Sequence, residues 1–205
     1  MKREDRKAAS AIKKGLNQII KPLIKLYGFK MAKGRIWTTQ DDLLFVMIPL
    51  INLNEKATLH TGFSAKPWYV DDYLWDILGF EENKKAPVSL RVTGAFSVRP
   101  VLFYSNDNVL CTFDTAETEM YLKKELECFS EHIQSVSSDG LSWFYKMEAS
   151  KERYWQCDVM RLMILLHNNK TDEAAEYANQ HQLRDFIVNG KSFGELLEVY
   201  LIKDT

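Results

Sequence analysis

Ile12, Leu16, Ile19, Leu23 and Tyr27, with Ile20 and Ile24 beside them, recur at three- and four-residue steps. That spacing lines one face of a helix, so residues 6–27 are expected to form an amphipathic helix with the lysines opposite its apolar stripe. Pro22 is expected to kink it or to start its last segment, and Gly28 to stop it. From Phe29 the period falls to two. Residues 29–38, 43–53 and 57–65 read as three strands, joined by Thr39-Gln40-Asp41-Asp42 and Asn54-Glu55-Lys56. Connections this short imply an antiparallel meander. The second strand is apolar on both faces and so is expected to be central, with a bulge where Pro49 interrupts its ladder.

After Pro67 the pattern predicts a short inserted helix, residues 69–78, ended by Gly79, and then a surface loop over 81–85. Leu90, Val92, Gly94, Phe96 and Val98 alternate with polar or small residues and predict a further strand. A hairpin is expected within 101–113, turning at Asn106-Asp107-Asn108. Asp114 followed by Glu117 has the form of a capping box, opening a helix to about residue 138 with Leu122, Leu126, Phe129, Ile133 and Val136 inward. Residues 152–167 are apolar nearly all round, as in a buried helix. Thr171 is placed to cap the next helix, and Ser192 with Glu195 to box the last one. The order predicts an α+β fold: an N-terminal helix, an antiparallel sheet of five to six strands with one inserted helix, and a C-terminal helical segment. Residues 1–138 are expected to form the α+β domain, with 139–205 a helical extension packed on it, or the two together a single domain.

Charge is unevenly distributed. The first thirty-five residues hold eleven Lys or Arg against Glu4 and Asp5, leaving sixteen basic and twenty-six acidic residues in the remainder. Five Trp, eleven Phe and nine Tyr demand a covered core. Cys111, Cys128 and Cys157 are odd in number and widely spaced, which argues against a disulfide framework and for a reducing, cytoplasmic setting. The charged start has no apolar signal region, and the longest apolar run is too short to span a bilayer, so no membrane partner is expected.

Lys7, Lys14, Lys21 and Lys25 form a stripe suited to phosphates, but only Asn17 and Gln18 interleave it. Trp68, Tyr69, Asp71, Asp72 and Tyr73 combine aromatic anchors with charge, the composition of a protein interface. Tyr121, Glu125, Cys128 and His132 share one helix flank, where a thiol and an imidazole four residues apart can touch. Neither a zinc set nor a catalytic set is completed at ligand-like spacing, so no metal, cofactor or catalytic residue is assigned. Asp158 and Arg161 are expected to pair or to line a polar seam.

Ile19 to Leu26, Gly28-Phe29-Lys30, Trp37, the Leu44 to Asn52 strand and Leu59 to Phe63 carry a resemblance. They resemble a bacterial family of domains of unknown function in which a basic helix ends in a Gly-Phe-Lys turn and leads into a Trp-containing antiparallel meander. The resemblance covers roughly the first 110 residues and rests on short motifs. It implies an α+β fold and brings no catalytic residues. By analogy, families of this kind include immunity proteins of bacterial toxin systems. The sequence thus points to a non-enzymatic protein-binding module, of immunity or antitoxin type, whose acids would face a basic toxin. Nucleic-acid binding through the N-terminal helix is the alternative, and a small-molecule enzyme without a local motif the third reading.

Overall fold

The computed structural model describes residues 3–53, 55–149, 155–181, 183, 187–188 and 190–203. In chain order the helices are α1 (Arg3–Leu26), α2 (Val70–Leu78), α3 (Ser89–Thr93), α4 (Thr115–Asp139), α5 (Ser142–Glu148), α6 (Trp155–His167), α7 (Thr171–Gln180) and α8 (Phe193–Lys203). The strands are β1 (Lys30–Ala32), β2 (Arg35–Gln40), β3 (Leu43–Leu53), β4 (Ala57–Pro67), β5 (Val101–Val109), β6 (Ile187–Val188) and β7 (Lys191–Ser192). This is an α+β fold. Two compact units share the chain: Met1–Ala65 with Leu102–Trp143, and Lys66–Val101 with Phe144–Thr205. Lys66–Val101 thus falls in the same unit as the C-terminal helices.

In the first unit the sheet runs β1-β2-β3-β4-β5, all antiparallel. α1 and α4 pack on each other and on β3. The expected first strand is two, because Lys33 and Gly34 both take positive φ (47° and 78°) and reverse the chain. That is the hairpin geometry that returns a strand directly onto its neighbour, pairing Met31 with Ile36. β3 runs on through Pro49, which is buried, and is buried on both faces over Leu43–Met47, as a central strand should be.

α1 also continues through Pro22. Proline leaves the carbonyl four residues earlier without its usual donor, and Pro22 stands on the exposed side of the helix. The stop at Gly28 is as expected: Gly28 has φ 74°, its amide reaches the Lys25 carbonyl at 3.3 Å, and the Phe29 amide reaches the Ile24 carbonyl at 2.8 Å. This paired closure needs a left-handed residue at the turn, which glycine adopts without a Cβ penalty. It also swings Phe29 against Phe129 of α4, at 5.3 Å between centroids. Phe129 in turn meets Phe63 of β4 at 4.9 Å, tying both helices to the sheet.

The hairpin expected around Asn106-Asp107-Asn108 is instead one straight strand, β5. Turn-forming side chains normally satisfy their own backbone. Here Asn106 and Asn108 donate to the Glu125 carboxylate on α4, at 2.7 and 2.9 Å, while Asp107 points the other way to His60. Partners elsewhere in the fold removed the reason to turn.

The cap of α4 forms, with the return bonds of the expected box made to the residues just before Asp114. Asp114 accepts from the Glu117 amide at 2.7 Å, and Glu117 accepts from the amides of Cys111, Thr112 and Phe113 at 2.8, 2.9 and 3.2 Å. The Glu117 amide holds Asp114 below the usual carboxylate range. Burial alone would raise Glu117, but the three amides and the Thr112 hydroxyl outweigh it and hold it low. Each acid therefore ionises more readily folded than unfolded, so its stabilisation is present above the unfolded values of about 4 and is lost as pH falls through the lowered folded values. Amide exchange in the first turn of α4 is expected to speed up, relative to mid-helix amides, as pH falls below about 4. Glu117→Gln should remove most of that dependence; an unaltered ratio in the parent protein would show that the box does not hold the turn.

In the second unit α2 packs against α6 and α8. α2 closes on Gly79 by the same device as α1, with the Phe80 amide on the Trp75 carbonyl at 2.7 Å. The single inserted helix expected here is α2 followed by a 3-10 turn (Glu81–Lys85) and α3. The strand expected at Leu90–Val98 is not one: α3 occupies Ser89–Thr93, started by the Leu90 amide on the Pro87 carbonyl at 2.8 Å and the Arg91 amide on the Val88 carbonyl at 2.9 Å. Alternation over so short a stretch does not separate a strand from a single helical turn. The last capping box forms as expected, Ser192 and Glu195 bonding each other's amides at 2.7 and 3.2 Å. The start of the expected 152–167 helix lies outside the described residues; the observed part is α6.

Candidate functional site

The basic stripe of α1 is intact on the surface of the first unit. With about 100° per residue, Lys7, Lys14, Lys21 and Lys25 fall within about 40° of arc and span about 27 Å along the axis. All four are exposed, whereas Ala9, Leu16, Ile20, Leu23 and Ile24 are buried on the opposing side. The fold thus spends the apolar face of α1 on the sheet and α4 and leaves the lysines outward. At the C-terminal end of the stripe, Lys21, Pro22, Ile24, Lys25 and Met31 line an open groove of about 650 Å³ whose surface is mainly apolar. The spacing of the lysines was legible in the sequence. Met31 was not, because it reaches the groove only through the Gly28 turn and β1.

Four acids of α4 are engaged within the first unit. Glu117 is used in the cap, and Glu125 is 1% exposed, holding Thr61 Oγ1 at 2.7 Å as well as the two asparagines. Glu119 pairs with Lys123 at 2.9 Å, and Glu127 accepts from the Tyr27 hydroxyl at 3.0 Å.

Of the α4 flank, Cys128 and His132 do meet, Sγ to Nδ1 at 3.5 Å. Nδ1 lies closer to the Cys128 carbonyl, at 2.8 Å, the geometry of a ring N–H donating to the backbone. That proton leaves Nδ1 unable to take one from sulfur. Burial pushes the Cys128 thiol up, Glu125 and Glu131 add to the rise, and the Tyr104 hydroxyl only partly offsets it. Tyr104 is itself pushed up to about 12, chiefly by burial and then by Cys128 and Glu125. The arrangement favours a neutral thiol beside His132, whose ring packs on Phe63, Phe103 and Tyr104, a packing role.

In the second unit, the Trp68 to Tyr73 segment is built into a charged core. Lys66 and Asp71 are both 0% exposed, with Nζ 2.8 Å from Oδ1 and 2.7 Å from Oδ2. Lys66 also donates to the carbonyls of Arg91 and Val98, at 2.9 and 2.6 Å, and the Val98 amide donates to Asp71 at 2.7 Å. Arg91 lies between the rings of Trp68 and Trp75, at 4.3 and 4.6 Å, and pairs with Asp72 at 2.6 Å. Asp71 is therefore withdrawn from any surface. Tyr69 stacks on His167 at 3.7 Å with Tyr73 edge-on at 6.3 Å, and burial pushes the Tyr69 hydroxyl up to about 12. Asp72 and Tyr73 keep partial exposure.

Asp158 and Arg161 line a polar seam: Asp158 accepts from the Tyr177 hydroxyl at 3.0 Å, and Arg161 approaches Glu148 at 4.0 Å over the Tyr145 ring. Among the described residues no three His, Cys, Asp or Glu side chains converge as metal ligands, and no helix is long and apolar enough to cross a membrane. No protein-family model, no curated protein and no solved structure matches this chain.

Proposed function

We propose that this chain works by binding another protein, with the outward face of α1 as the contact surface and an acidic partner. The observation that carries this reading is the coincidence of four exposed lysines on one arc with a mainly apolar groove lined in part by two of them. The sequence pointed to acids facing a basic toxin; on this surface the charge is the reverse, so an inhibitor role would be directed at an enzyme whose own exposed face is acidic. Nucleic acid is the less suited ligand, because a phosphate backbone brings no apolar group for the groove. The nearby aromatic, Trp37, is 7% exposed beneath Lys30 and offers no ring face to a base.

Single exposed ion pairs contribute little, but neighbouring lysines of the stripe lie about one Debye length apart or less, so their fields overlap and accelerate association at low salt. Capture from the native cells, with nuclease present, is expected to retain a protein at low salt and release it at high salt. Reversing Lys7, Lys14, Lys21 and Lys25 to Glu should weaken that retention by more than about tenfold. If reversal leaves retention unchanged, the face is solvated surface. If nuclease removes everything that the wild type retains and the reversed protein does not, the stripe is a phosphate contact.

A further inference from the structure

The groove at the end of the stripe gives the proposed contact a more definite chemistry. Its lining combines three apolar residues, Pro22, Ile24 and Met31, with two lysines, Lys21 and Lys25. Residues four apart on a helix stand about 5–6 Å from each other at Cβ, so the two lysines lie side by side along the same opening. Met31 comes from β1, an edge strand of the sheet, so the lining is made by two elements that the Gly28 turn holds together.

We infer that this groove receives one apolar side chain of the partner, carried on a segment with carboxylates on either side of it. The inference rests on the reading of α1 as a protein-binding face. Its basis is charge complementarity: an apolar group entering beside two lysines brings its flanking residues within reach of both, so acids there are attracted and bases repelled. An apolar anchor ringed by charge is also the arrangement that concentrates binding energy at an interface, the rim excluding water from the centre. Methionine suits the lining, since its unbranched thioether adapts to different aliphatic or aromatic anchors. Lys21 and Lys25 thus set the charge of the segment, and Pro22, Ile24 and Met31 its anchor.

The test uses the full chain and two synthetic peptides of Glu and Ala, one with a central Leu and one with Ala in its place, followed by fluorescence anisotropy. A single-stranded oligothymidylate serves as the third probe. The Leu peptide is expected to bind about tenfold to a hundredfold more tightly than the Ala peptide, the value of burying one aliphatic side chain. Met31→Glu should abolish the difference with an unchanged thermal melt, and reversal of Lys21 and Lys25 should weaken both peptides. Equal binding of the two peptides, lost on reversal of Lys7 and Lys14, would overturn the groove assignment and leave the acidic-partner reading standing. Failure of both peptides alongside tight oligothymidylate binding would overturn both. If Met31→Glu does not fold, the Leu-to-Ala ratio in the parent protein decides alone.

Discussion

Lys66→Met is expected to destabilise the second unit by about 3–5 kcal/mol, because it strands a buried carboxylate with its charge uncompensated. Asp71 is enclosed, and its nearest remaining cation is Arg91, whose Nη1 lies 3.7 Å away and whose other nitrogen is committed to Asp72. The carbonyls of Arg91 and Val98 lose their Lys66 donor at the same time. Burial pushes the Asp71 carboxyl up, while Lys66, the Val98 amide and Arg91 pull it down, so removal of Lys66 leaves burial less opposed. The Lys66→Met/Asp71→Leu double variant should lose less than the sum of the two single variants, since it removes both charges together. Urea titrations of the three variants measure this coupling. Additive losses would mean that the pair is not the interaction that matters, and a neutral Lys66→Met would sink the account altogether.

Glu125→Leu is expected to cost about 2–3 kcal/mol although it replaces a charge by an apolar residue at a buried site. The carboxylate holds Thr61 of β4 and both asparagines of β5. The asparagines are half-exposed and can turn to water, whereas Thr61 is 0% exposed and would keep an unpaired hydroxyl. Thr61→Val in the same chain should therefore recover part of the loss. Hydrogen exchange along β5 reads the second consequence: its central amides should exchange faster in Glu125→Leu, because the strand loses its tie to α4. Equal protection in the two proteins would show that β5 is held by its ladder alone.

These two groups mark the boundary of what the sequence makes legible. Glu125 sits four residues after Tyr121 and three before Cys128 and so reads as one member of a polar flank. Its burial depends on Thr61 and Asn106, sixty-four and nineteen residues away. Lys66 reads as a strand-end lysine before a proline, yet it becomes a fully buried ion because Asp71, Arg91 and Val98 close over it. The Asn106-Asp107-Asn108 turn and the Leu90–Val98 strand failed for a related reason, since weak local preferences yielded to partners supplied by other elements.

Local chemistry by itself determined the helix ends and the meander. The Gly28 and Gly79 stops and the boxes at Asp114 with Glu117 and at Ser192 with Glu195 are all satisfied within about six residues, so nothing distant can overrule them. The α1 stripe belongs to the same class, because its arc follows from helical period alone. Only the tertiary structure decided which charges remain outside. It consumed Asp71 and Glu125 as internal partners, left Lys7, Lys14, Lys21 and Lys25 exposed, and placed Met31 beside two of them. The physical reason is that a charge enters a core only where donors or counter-ions converge on it, and convergence is a property of chain segments far apart in sequence.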